Sequence, residues 1–373
     1  MGERRVDAAE IDQVPWDAAE VWGRAGDAAR LTEFGDALVR ERAVLHKRLR
    51  NLDHRLTQVL RALALTPGRQ FVKQLLHVYR EAGATDAGTQ SGPRFLASLL
   101  AEAQTLEDLL PVLSDDGGAL WDELRACLFH ELLLRGVDAD EIRRRSHNIH
   151  FCAPWGGLAW LPDKLADMEH GAPFPSRSYN GGAGIGCPRM SSPVALDAAA
   201  RGAGAAHPVA DVTTVRLAEA ITGPPEQGNW GAHDVGVFTT ERPVTPEELP
   251  GVVASLPMEC LEGLGAEHRF VFAPCSLGEV WRVLFATASG AGVYGPGVYG
   301  AYGRLSAWWS LAGLAGAQPG AGPAEVEEQA SACTWMRFEA DSEWFHNEIN
   351  DYGIVALAPD GRRIAVLAAT DTD

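Results

Sequence analysis

The chain has 373 residues, 46% of them hydrophobic and 22% charged, a composition that excludes a disordered or fibrous polypeptide. Fifty acidic against 32 basic residues give a formal net charge of −18, so both nucleic acid and anionic membrane repel it and general binding to either is not expected. The acidity is uneven: residues 1–150 carry a net −4 and residues 151–373 a net −14.

The opening MGERRVDAAEIDQVPW holds no apolar run of signal-peptide length, so a cytoplasmic protein is expected. Six cysteines are scattered without a CxxC pair, which points to reduced thiols. Only three lysines occur, against 29 arginines, in an Ala- and Gly-rich chain. That is compositional bias, so arginine abundance is not read as phosphate recognition.

Residues 1–146 read as an all-helical domain. A helix capped by Thr32 and running to about Leu65 carries Leu45, Leu49, Leu52, Leu56, Val59 and Leu63 at alternating four- and three-residue spacings, the stripe that a packed bundle helix needs. Thr66-Pro67-Gly68 ends it. Further helices are expected over about 69–82, from Pro93, over 119–135 and over 138–145, with Gly136 as a stop signal. Thr105 and Asp108 have capping-box-like spacing. A bundle or an irregular array of helix pairs fits.

Residues 147–230 lose the helical period and gain glycine and proline, and are expected to be irregular. Residues 231–373 read as mixed α and β. Strands are expected over 235–240, 269–273 and 333–339, and helices over 246–256, 276–288 and 304–314. In the strand over 333–339, Trp335, Arg337 and Glu339 alternate with Met336 and Phe338, the pattern of a half-buried strand. Asp360-Gly361 between two apolar runs predicts a closing β-hairpin. The fold class is therefore α+β, an N-terminal all-helical domain followed by a mixed C-terminal domain ending in a hairpin.

Between Arg282 and Glu325 the only charge is Arg304. Val283–Gly303 is long enough to cross a bilayer, but six glycines and Pro296 cannot hold a regular helix there, so no membrane span is expected. The stretch reads instead as a Gly/Tyr loop between buried helices, with Tyr294, Tyr299 and Tyr302 presenting apolar bodies and polar tips. The segments GAYGRLSAWWSLAGL and PDGRRIAVLAATDTD resemble the C-terminal signature of an uncharacterised actinobacterial family of domains of unknown function. The resemblance covers mainly residues 270–373. It implies no activity and carries over no catalytic residue.

Four sets of residues are candidates for chemistry. Cys275 ends an apolar strand and precedes a helix, where the helix dipole would favour thiolate. His268 lies at the other end of that strand, so a base would have to be His233 or His346. Pro274-Cys275 lacks the second cysteine of a deaminase zinc motif, since position 278 is Gly278. Gly182, Gly184 and Gly186, followed by Arg189, could cradle an anionic cofactor group, though no lysine stands beside them. His147, His150 and Cys152 could ligate metal, with Cys187 as a fourth ligand. Glu343 and His346 form Glu-x-x-His, near Glu348 and Asp351, but a di-metal site needs a second such pair.

The leading expectation is a non-catalytic cytoplasmic protein-interaction protein, of scaffold or immunity type, with a basic protein as the fitting partner. The alternatives are a small-molecule enzyme using Cys275 or a histidine, and a metal-binding protein. No cofactor is identified by the sequence.

Overall fold

The structure, a computed structural model, describes residues 11–45, 50–84, 92–114, 119–146, 155–265, 267–290, 292, 295, 297–345 and 350–371. Two compact units divide the chain. The first comprises residues 1–159 with 176–183, the second residues 160–175 with 184–373. The class is α+β, with helices concentrated toward the N-terminus and an antiparallel sheet toward the C-terminus. The segment 147–230 contributes to both units, and its described residues include two α-helices.

The first unit contains α1 (Ala18–Arg24), α2 (Ala28–Leu45), α3 (Arg50–Leu65), α4 (Arg69–Ala84), α5 (Pro93–Ala103), α6 (Leu110–Ser114), α7 (Ala119–Leu134) and α8 (Ala139–Arg145). The single long helix expected over 32–65 is two helices that pack against each other. Thr32 lies inside α2, its hydroxyl donating to the Ala28 carbonyl at 2.7 Å. Of the apolar stripe, Leu52, Leu56, Val59 and Leu63 are all buried, and Leu49 lies outside the described residues. Gln104 closes the α3 C-terminus, donating to the carbonyls of Ala64 and Thr66 at 2.7 Å each, so groups that a helix end leaves unpaired are satisfied. Asp138 caps α8 by accepting from the N–H groups of Asp140 and Glu141. A small hairpin, β1 (Ser176–Ser178) with β2 (Gly181–Ala183), completes the unit.

The second unit is built on a seven-stranded, wholly antiparallel sheet. Its strands are β3 (Val194–Ala195), β4 (Val209–Asp211), β5 (Ala232–Thr240), β6 (Phe270–Pro274), β7 (Thr334–Ala340), β8 (Tyr352–Leu357) and β9 (Arg363–Thr370), in spatial order β3-β6-β7-β8-β9-β5-β4. The expected β8–β9 hairpin is present, with Gly361 in the turn at φ 68°. On one face Phe238, Met336, Phe338, Val355 and Val366 pack with Leu249, Val252 and Val253, the latter three from α11 (Leu249–Val253). Nearby, α9 (Ala198–Gly204) packs against α11. The other face is covered by α10 (Val215–Gln227), α12 (Leu277–Ser289) and α13 (Tyr299–Ala315), and α14 (Pro323–Ala332) packs on α13.

A sheet covered on both faces changes the reading of β7. The alternation predicted a solvent face for Trp335, Arg337 and Glu339. Instead Trp335 and Arg337 are each 4% exposed and Glu339 is half-buried, because helices take the place of water on that side. Among the described residues no helix is long and apolar enough to cross a membrane. The near-neutral stretch 283–324 is spent on α12 and α13, whose side chains include the fully buried Leu284, Phe285, Trp308 and Leu311.

Candidate functional site

Cys275 follows β6 and its N–H donates to the Trp335 carbonyl at 3.1 Å. Ser276 then opens α12. The Ser276 hydroxyl accepts from the Glu279 N–H at 3.2 Å, and the Glu279 carboxylate accepts from the Ser276 N–H at 2.8 Å. The thiol thus stands at a helix N-terminus, but that terminus already holds its own carboxylate. Burial pushes the Cys275 thiol up to about 12, Glu279 pushes the same way, and Arg337 opposes them only in part. The expected thiolate is not favoured here.

Nor does His233 serve as its base. His233 lies on β5 and Cys275 follows β6, and β7, β8 and β9 stand between those strands. Four strand spacings are roughly 19 Å. His233 is exposed, its Nε2 3.6 Å from a Glu226 carboxylate oxygen. His346 lies outside the described residues, as do Glu348 and the proposed ligands His147, His150 and Cys152. Cys187 is buried, and burial pushes its thiol up to about 12. Among the described residues no three His, Cys, Asp or Glu side chains gather as a metal ion would require.

The glycine segment is a strand and a connector. Gly182 pairs with Arg177 across the β1–β2 hairpin. Arg61 donates to the carbonyls of Ser178 and Gly181 at 3.1 and 2.7 Å, so this turn presents acceptors rather than anion-binding N–H groups. In the second unit, Gly184 packs against the carbonyl of Gly290, which brings the two glycine-rich segments together. Gly186 and Arg189 are exposed. Around the second segment the contacts are packed aromatics: Trp230 donates to the Thr287 carbonyl at 3.3 Å, and its ring meets that of Tyr352 edge-on at 5.3 Å. Tyr299 and Tyr302 belong to the start of α13, and Tyr294 lies outside the described residues.

A different concavity of the second unit is acidic. It has a volume of about 780 Å³ and is lined by Glu259, Glu262, His268, Asp341, Glu343 and Trp344. Among the described residues no lysine or arginine lines it. Its walls come from the turn before β6 and the turn after β7, two segments that the β6–β7 pairing brings to one end of the sheet. Three bonds hold them there. The Ser342 hydroxyl donates to the Cys260 carbonyl at 2.8 Å, the Asp341 N–H donates to the Arg269 carbonyl at 2.7 Å, and the Cys260 N–H donates to Asp234 at 2.9 Å. Nδ1 of His268 accepts from the Gly265 N–H at 2.9 Å, so the neutral ring carries its proton on Nε2.

Trp344 is fixed by a chain of rings running into the core. It meets Phe345 edge-on at 4.9 Å, Phe345 meets Phe338 at 5.9 Å, and Phe338 stacks on Phe270 at 5.5 Å. A rigid indole beside four carboxylates is a combination that suits an organic cation. Of these residues the sequence points to Glu343 and, for a different role, His268. The others are separated from them by up to 84 residues, and only strand pairing reveals them as neighbours.

No curated protein matches the chain, and no solved structure matches it. One family model does, over residues 13–373, which is nearly the whole chain and both units. The chain belongs to that family, the family of unknown function DUF6183.

Proposed function

We propose that the protein is a non-catalytic interaction protein of the cytoplasm, and that the acidic cleft of the second unit takes a basic segment of a protein partner. The observation that carries this reading is the cleft itself: four carboxylates and a rigid Trp344, with no cation among the described lining residues. Charge complementarity steers a basic partner in and rejects acidic ones. Trp344 adds an aromatic face for an arginine or lysine head. A protein that holds and blocks a basic partner, as immunity-type proteins do, is one form of this function. The thiol-enzyme reading has weaker support, because Cys275 is held protonated and His233 is on the far side of the sheet.

The test is fluorescence anisotropy with a labelled arginine-rich peptide and an acidic peptide of equal length. Saturable binding of the arginine-rich peptide alone is expected, weakening as salt rises. E259Q/E343Q is expected to lose about tenfold in affinity, and W344A a similar amount. Equal binding by wild type and both variants would overturn the assignment to this cleft.

A further inference from the structure

Among the described residues of the second unit two arginines are buried, Arg304 and Arg337, and their surroundings differ. Arg304 on α13 is fully buried and complete. Its Nη1 donates to the Pro162 carbonyl at 2.9 Å, and its other edge, Nε and Nη2, grips the two oxygens of Glu169 at 2.6 and 2.8 Å. Arg337 on β7 begins the same way. It is 4% exposed and its Nη1 donates to the Pro188 carbonyl at 2.5 Å. Its Nε, however, is buried with no hydrogen-bond partner, and among the described residues no carboxylate forms an ion pair with it. The edge that binds Glu169 in the first arginine is unpaired in the second.

A buried guanidinium left in this state is strongly unfavourable unless an anion meets it. Among the described residues, the groups around it do not supply that anion. Register sets Arg337 opposite Ala273 of β6 and Ile354 of β8, both apolar. The thiols of Cys187 and Cys275 feel its charge, but burial holds both protonated. Tyr352 also feels it and is held protonated by burial. Glu339 is two residues along the same strand face, roughly 7 Å away, too far for a fork-to-fork pair. Burial pushes the Glu339 carboxyl up; Arg337 opposes that push without cancelling it and Asp351 adds to it, so Glu339 is a partial counter-charge at a distance.

We infer that Arg337 anchors a binding site for one small oxyanion, a carboxylate or phosphate group that accepts from Nε and Nη2 side by side, as Glu169 accepts from Arg304. The planar fork of arginine is made for that geometry, whereas a lysine would offer only a point charge. The narrow residual exposure of Arg337 limits the ligand to a single anionic group at this point. The site lies on the helix-covered face of the sheet, and it stands or falls independently of the acidic cleft.

The experiment uses the full chain and two readouts. Thermal unfolding is followed during titration with sodium acetate and, separately, inorganic phosphate, each against sodium chloride at matched ionic strength. At about ten times the dissociation constant, the second unit's midpoint is expected to rise by roughly 3–6 °C with whichever anion fits, and this rise is expected to be absent in R337Q. R337K, which keeps the charge without the fork, is expected to recover only part of the response. The second readout needs no variant: the rate of Cys275 alkylation by iodoacetamide in wild type. An anion on Arg337 cancels the one charge that favours the Cys275 thiolate, so alkylation slows with the same concentration dependence. If neither anion exceeds chloride in either readout, the guanidinium is merely hydrated and the inference fails. If R337Q folds and responds as wild type does, the anion binds elsewhere and the inference fails.

Discussion

Arg304 and Glu169, 135 residues apart, form a two-pronged ion pair with both side chains fully buried, Nε to Oε1 at 2.6 Å and Nη2 to Oε2 at 2.8 Å. The pair is a hub. Arg304 also donates to the carbonyls of Pro162 and Lys164, and Glu169 also accepts from the Trp308 indole and the Ala166 N–H, each at 2.9 Å. It ties the connecting segment 160–175 to α13. The single charge of the near-neutral stretch is therefore an internal tether.

Removing one member leaves the other buried and uncompensated. E169Q is expected to lower the stability of the second unit by about 3–5 kcal/mol. R304K keeps the charge but cannot reach four acceptors in one plane, so it is expected to be destabilising as well. Denaturant titration followed by circular dichroism measures both. Wild-type midpoints for the two variants would show that the pair contributes nothing.

The state of Cys275 predicts its reactivity. With its thiol held up at about 12, alkylation is expected to climb steadily through pH 9 and 10, with no plateau near the ordinary thiol range. Peptide mapping after timed iodoacetamide exposure measures it. A rate that levels off below pH 8 would mean an activated thiolate and would revive the enzyme reading.

Buried thiols also make stability depend on pH in a defined sense. The Cys187 thiol is raised from the usual thiol range to about 12 by burial. Between about pH 9 and 12 the unfolded chain gives up this proton while the folded chain keeps it. The unfolded state binds fewer protons, so stability falls as pH rises, by up to ~1.4 kcal/mol per pH unit for this group. Below pH 8 its contribution is fully present. C187A is expected to flatten the decline between pH 9 and 10.5 in midpoints measured by denaturant titration. Parallel declines in the two proteins would assign the effect to other groups.

The parts of the fold that are legible in the sequence are those with local signals. Asp360-Gly361 marks the β8–β9 turn, and Ser276 with Glu279 marks the start of α12, because a turn or a cap is decided within four residues. The helix α10 escapes such reading because Gly223-Pro224-Pro225 lies inside it, near its C-terminal end. Proline lacks the N–H a helix interior needs, yet both prolines are buried in its last turn, where the preceding turns are already built from Val215 onward. Arg337 shows a second limit. A period of two tells which residues share a face of β7, but not whether water or α12 covers that face. The cleft shows a third, since Glu259 and Glu343 become neighbours only through the pairing of β6 with β7. The Arg304–Glu169 pair likewise leaves no trace in local spacing.

Two glycines in one short helix offer the sharpest packing test. In α9, a Cβ on Gly204 would stand 1.7 Å from the Gly251 carbonyl oxygen of α11, and a Cβ on Gly251 would stand 2.6 Å from the Ala200 oxygen. Both obstacles are backbone, so no side-chain rotation relieves them. The two helices touch through bare backbone, which only glycine permits. Two residues earlier, Gly202 is exposed and a Cβ there meets nothing within 4 Å. The same substitution therefore has opposite consequences. G202A gains helix propensity and removes freedom from the unfolded chain, and is expected to be stabilising by about 0.5–1 kcal/mol. G204A has the same propensity gain but must push α9 off α11, and is expected to cost a net ~1–3 kcal/mol. Denaturant midpoints of the two variants, measured side by side, give the sign of each. Equal effects would mean that α9 and α11 do not meet at these glycines, and the helix pair beside the sheet would have to be packed in another way.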